Sequence, residues 1–152
     1  MRKLFAIAVA LLAALSLASC ANRQGFFGTY TFSEVSYLSP VSSATADYMN
    51  EKMAGTKYTI KSDVFMVEFD DATVQIVSPT YRKEQIPTVY DPLADASCVI
   101  GNEIEHQYTI YDADGKNTHW RIYESPTELW ISSFVDNTAD GSEIILNIFK
   151  IS

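Results

Sequence analysis

Basic side chains are scarce in this sequence, with eleven Lys and Arg against nineteen Asp and Glu in 152 residues, a formal charge of −8. An acidic surface of this kind repels nucleic acid and anionic lipid headgroups alike, which excludes nucleic acid as a partner and favours a basic protein. Cysteine is nearly absent, at two residues, Cys20 and Cys98. The familiar catalytic signatures are missing as well: the chain holds no G-x-S-x-G, no H-E-x-x-H, no C-x-x-C and no glycine-rich phosphate loop. Nor is there an apolar run of the roughly 20 residues that a bilayer span requires. No repeat of fixed period and no low-complexity segment interrupts the chain.

What the sequence does have begins at its start. Arg2 and Lys3 precede an apolar run over residues 4–17 that is broken only by Ser16. The run has the proportions of a secretory signal's apolar core, so residues 1–19 are set aside from the fold. At its end stands Leu17-Ala18-Ser19-Cys20, which resembles the lipobox of bacterial lipoproteins. The resemblance implies cleavage before Cys20 and acylation of its thiol. Each buried methylene contributes about 0.8 kcal/mol, so two or three chains anchor a protein durably where one does not. The membrane is then a partner through acylated Cys20. Residues 20–24 form a tether of at most about 17 Å, and residues 25–152 one domain. No acidic run follows Cys20, so the expected location is the outer membrane, facing the periplasm. With Cys20 acylated, Cys98 has no disulfide partner and reads as a small buried hydrophobe.

Most of the domain reads as strand. FFGTYTFSEVSYL is rich in the aromatic and threonine residues that fit a pleated, half-buried surface. SSATADYMNEKMAG then has a serine-threonine start, helix formers, and Gly55 at the stop. Ala46, Met49 and Met53 recur at helical spacing, which predicts a helix of about ten residues over one end of a sheet. KYTI, VFMVEF and ATVQIV follow, the last two joined by the hairpin turn Asp70-Asp71. IEHQYTIY, THWRIY, ELWISSFV and EIILNIFKI complete the chain. Residues 78–102, interrupted by Pro79, Pro87 and Pro92, form a functional loop or hide short edge strands.

YDADGKN is not an EF-hand calcium loop, because the sixth position from Asp112 is Asn117 rather than glycine. It reads instead as a three-residue hairpin loop, Ala113-Asp114-Gly115, with Gly115 left-handed. That loop pairs Asp112 with Lys116, places Tyr108 opposite Trp120 and His106 opposite Ile122, and sorts the side chains. Tyr108, Ile110, Trp120 and Ile122 share one face; Thr109, Tyr111, His119, Arg121 and Tyr123 share the other. Ala139-Asp140-Gly141 is expected to repeat the device. In the last strand Ile144, Leu146 and Ile148 would fill one side and Ile145, Phe149 and Ile151 the other. That hairpin is either covered twice or lines a cavity.

A meander of about eight antiparallel strands with an early helix resembles the lipocalin-like small barrels found among bacterial lipoproteins. The residues that carry the resemblance are Gly28-Thr29-Tyr30, in place of the family's Gly-x-Trp, and the tail YTIYDADGKNTHWRIYESPTELWISS. It implies a mainly β fold, an up-and-down barrel with one short helix after the first strand, cupped around a small apolar ligand. The ligand-binding candidates are Tyr108, Ile110, Trp120 and Ile122, the more apolar face, which a closed barrel turns inward.

Glu103 and Glu105 share a strand face and form the nearest approach to an acid-base pair, which reads as a solvated strand end. His106 and His119 face opposite sides and make no start on a metal site. No catalytic residue, metal or cofactor is therefore expected, and Trp120 and Trp130 read as core or rim aromatics. The first functional expectation is a membrane-anchored binder of a small apolar molecule in the envelope. The alternative is an acidic interaction or inhibitor lipoprotein acting on a basic protein, whose binding would be strongly salt-sensitive. In either case Cys20→Ala should abolish incorporation of labelled fatty acid and leave an unprocessed precursor. A variant that still labels and still fractionates with membranes would refute the anchor.

Overall fold

The strands form because apolar and polar residues alternate, and the turns form where glycine or aspartate interrupts them. A computed structural model describes residues 25–86, 96, 100 and 104–152; Cys20, Cys98, Glu103, Pro87 and Pro92 lie outside them. The elements run β1 (Gly28–Leu38), α1 (Ala46–Met53), β2 (Lys57–Ile60), β3 (Val64–Glu68), β4 (Thr73–Val77) and β5 (Thr80–Glu84). They continue with β6 (His106–Tyr111), β7 (Asn117–Glu124), β8 (Leu129–Asp136) and β9 (Glu143–Ile151). The fold is mainly β: nine antiparallel strands in one sheet, in the order β4-β3-β2-β1-β9-β8-β7-β6-β5, with one short helix.

The sheet is open, which corrects the closed barrel. Consecutive strands β4 and β5 are its two edges. The reason lies in Ser78 and Pro79 between them. Ser78 has a positive φ of 51°, and its N–H is committed to the Asp63 carbonyl at 2.8 Å. Pro79 has no N–H to donate to a ladder. The chain turns a corner there instead of making a hairpin, and β5 pairs with β6. The sheet curls nonetheless: Phe65 on β3 and Trp120 on β7 meet with ring centroids 5.6 Å apart. Residues 78–102 thus do hold an edge strand, β5.

The helix is eight residues long. Thr45 caps it, its side chain accepting from the Tyr48 N–H at 3.3 Å, and Gly55 follows its end at φ 82°. Met53 is buried and Met49 half-buried against the core, while Ala46 is exposed.

The 112–116 turn has the expected form. The Asp112 N–H bonds the Lys116 carbonyl, and Gly115 sits at φ 76°. The Asp112 Oδ1 accepts from the N–H groups of Asp114 and Lys116, so that carboxylate is spent on the turn. The ladder beyond it differs. Tyr111 pairs with Asn117, but Ile110 pairs with Trp120 and Tyr108 with Ile122, because Thr118 and His119 bulge out. His119 takes φ 62°, held by its N–H to Asn117 Oδ1 at 2.9 Å and its ring to Asp136 at 3.1 Å. Two extra residues change the partners and preserve the parity, so the face assignment survives.

The last hairpin behaves otherwise. Its loop is one residue longer than expected, Asn137 pairing with Ser142 and Gly141 at φ 74°. The register then shifts between Ser133 and Phe134, leaving Leu146 unpaired. One extra residue flips every side chain that follows it. Ile145 therefore joins Ile148 on the outer side rather than Phe149 and Ile151. This strand pair is covered twice: Ala96, Ile104, Tyr123, Trp130, Ile145 and Ile148 form a second apolar cluster on the outer face, with Ile86 and Ile100 against it.

Gly115→Val should lower stability by about 1–2 kcal/mol, since a β-branched residue resists the left-handed conformation. Chemical denaturation measures the loss, and an unchanged midpoint would contradict the turn geometry.

Candidate functional site

The concave inner face is built by rows of residues that pair strand to strand. One row runs Tyr81, Ile110, Trp120, Ser133, Asn147 and Leu38, across β5, β6, β7, β8, β9 and β1. Alternation along each strand then places Tyr108, Ile122, Ile131 and Phe149 on the same face. The four residues singled out from the sequence are therefore together and inward. Their surroundings differ. Ile110 and Ile122 are fully buried and Tyr108 is 8% exposed. Trp120 is half-buried, and of the four it keeps the most open surface.

Trp120 lies toward the end of the sheet where α1 packs. Leu38, Met49, Phe69 and Val74, all half-buried, line that end against the core. Val135, on the same face as Ser133, is 41% exposed. At this end the apolar interior meets solvent.

The opposite end is stoppered by Phe26, which the sequence reading placed inside a strand. It precedes β1 and is 1% exposed. Its ring stands 4.6 Å from Tyr108, 5.3 Å from Phe27 and 5.4 Å from Tyr81. Tyr30, which stands where the lipocalin pattern has tryptophan, ties this plug down by donating its hydroxyl to the Phe26 carbonyl at 2.9 Å. Outside the plug is a cleft of about 470 Å³ lined by Tyr30, Glu124, Leu129 and Lys150 among others. Burial, and then the Glu124 charge, raise the pKa values of Tyr30 and Tyr108. Lys150 is held by Glu128 and lies 4.0 Å from Glu34.

The outer face carries a buried polar group. Arg121, 3% exposed, bonds Glu143 at 2.6 Å and Thr109 at 3.1 Å, and lies 3.5 Å from Glu84. Its guanidinium covers the Phe134 ring at 4.3 Å. Burial pulls its pKa down, and the neighbouring Tyr123 and Glu143 more than reverse that. A paired and stacked arginine of this kind locks the outer layer in place rather than offering a site. His119 points to Asp136 and Phe134 on this side. Glu105 is exposed. Among the described residues no three His, Cys, Asp or Glu side chains are grouped to hold a metal ion.

Phe26, Ser133 and Asn147 were the residues that sequence reasoning missed. The signals were present, as a paired aromatic before the first strand and as polar residues interrupting ELWISSFV and EIILNIFKI. No protein-family model, curated protein or solved structure matches the chain.

Tyr58 supplies a pH test of the inner face. Its hydroxyl is buried without a hydrogen-bond partner among the described residues, and burial raises its pKa above the ordinary 10.0. The unfolded phenol ionises from about pH 10 while the folded one stays neutral, so this stability is full below that pH and lost as the pH rises above it. Tyr58→Phe should melt no lower than wild type at pH 7, with a gain of about 1–3 kcal/mol. Between pH 10 and 11 it should lose less stability than wild type. A lower melting point at pH 7 would mean that the hydroxyl has a partner.

Proposed function

We propose that this protein is a membrane-anchored, lipocalin-like lipoprotein of the bacterial envelope that binds a small apolar molecule on the concave face of its sheet. Cys20 is the anchor in this reading, holding the domain at the outer membrane and facing the periplasm. The strand order supports it: β1 to β4 and β5 to β9 are two meanders joined edge to edge through β1 and β9. This is the order of an up-and-down barrel parted at one seam.

The carrying observation is Trp120, half-buried on the apolar concave face with its ring 5.6 Å from Phe65, while Ile110, Ile122 and Ile131 on the same face are fully buried. Covering such surface contributes about 25 cal/mol per Å². An apolar ligand entering at this end touches Trp120 first, while Ile110 and Ile122 form the floor behind it. Tyr108 supports the plug at the far end, too deep for first contact.

A neutral polarity-sensitive dye should quench or blue-shift Trp120 emission saturably in a Trp130→Phe background, where Trp120 is the sole indole. Trp120→Ala should weaken dye binding at least fivefold. Emission that no concentration of the dye alters would move the function to the acidic surface.

A further inference from the structure

The row that carries Trp120 holds two polar residues, Ser133 and Asn147, paired directly across β8 and β9. The Ser133 N–H donates to Asn147 Oδ1 at 3.2 Å. A backbone N–H can only donate, so the amide is oriented without ambiguity, with its oxygen toward β8. Asn147 Nδ2 then donates to Ser133 Oγ at 2.8 Å. Among the described residues two hydrogens find no partner, the second on Asn147 Nδ2 and the one on the Ser133 hydroxyl. They sit on atoms 2.8 Å apart and point in different directions, since the two amide hydrogens diverge by about 120°, so they are two neighbouring donors, each able to take an acceptor oxygen of its own. Both residues are half-buried, with Trp120 on one side and Leu38 on the other.

Resting on the apolar-binding reading, we infer that this pair selects the ligand's polar end: a neutral hydrogen-bond acceptor, a hydroxyl, ketone or ester oxygen on an otherwise apolar molecule. The charge is set by what the row lacks. No basic side chain stands in it; Arg121 and Lys150 belong to the opposite face, in register with Ser132 and Trp130, and Lys83, on the inner parity opposite Tyr108, is exposed on edge strand β5, three strands from Ser133. An ionised carboxylate would enter without a counter-charge, which low-dielectric surroundings penalise. A neutral acceptor meets either donor and needs none. Few polar groups among many apolar ones is also how ligand sites of this class fix orientation.

The test titrates the full chain with decanol, methyl decanoate and decane, read by Trp120 emission. Decanol and methyl decanoate should bind at least tenfold more tightly than decane. Asn147→Leu should bring the three within threefold of one another. Ser133→Ala, which keeps the amide bonded to the Ser133 N–H, should cut the preference at least threefold and serves where Asn147→Leu does not fold. Decane binding as tightly as decanol, or a preference that Ser133→Ala leaves intact, overturns the inference while the apolar-binding reading stands. If none of the three alters Trp120 emission, both fall.

Discussion

One strand holds the sheet together. The first four residues of β1 pair with β2, and from Phe32 onward it pairs with β9. The two meanders have no other ladder between them, so every inward contact across the curl depends on how β1 bends. Two register shifts do the bending, one between Phe32 and Glu34 and one between Val35 and Tyr37. Each adds a residue and sharpens the local twist. After both, parity is restored, and Leu38 faces inward as Phe32 does. The Thr31–Ser152 backbone pair, at 2.8 and 3.0 Å, holds Ser152 at the point where the partner changes.

This bend divides the sheet into unequal halves. In β3 and β4 the alternation is clean: Phe65 and Val67 are buried between half-buried neighbours, and Thr73, Gln75 and Val77 are exposed between half-buried Val74 and Ile76, whereas β2 is buried from Tyr58 to Ile60. In β6 to β9 both faces are covered, because Ile86, Ala96, Ile100 and Ile104 pack against Tyr123, Trp130, Ile145 and Ile148. The outer layer is where Arg121 is enclosed. Replacing one member of such a group strands a buried charge, so the outer cluster has little freedom to rearrange and the sheet beneath it is held rigid. A rigid wall on one side and a thinner, half-exposed wall on the other is the asymmetry that leaves the Trp120 end accessible.

Much of this was legible in residue pattern. Thr45 and Gly55 bounded the helix, Asp70-Asp71 and Gly115 marked turns, and the inward set of Tyr108, Ile110, Trp120 and Ile122 came from parity alone. Parity was right although the partners were not, because the bulge at Thr118 and His119 adds an even number of residues. Ile145 shows the converse. The bulge at Leu146 adds one residue, and nothing in EIILNIFKI distinguishes that strand from one that alternates throughout. The open seam was legible in principle, since Pro79 cannot extend a ladder. What hid it was that an irregular stretch and an edge strand look alike when only Thr80 to Glu84, a polar TYRKE, carries the pattern.

Polar residues facing an apolar interior are costly unless their hydrogen bonds are met, so the way each is met separates structure from function. Thr109 and Glu84 on the outer face bond each other at 2.7 Å, and Thr109 also accepts from Arg121. That group closes on itself. Ser133 and Asn147 close only half their capacity, and they do so where the surface is half-open to solvent. In the proposed reading a ligand oxygen would meet one of the free donors while the apolar remainder of the molecule covers Trp120 and its neighbours. The same two side chains thus tie β8 to β9 and, in the proposed reading, would discriminate among occupants, which neither an all-apolar row nor a fully satisfied one would do.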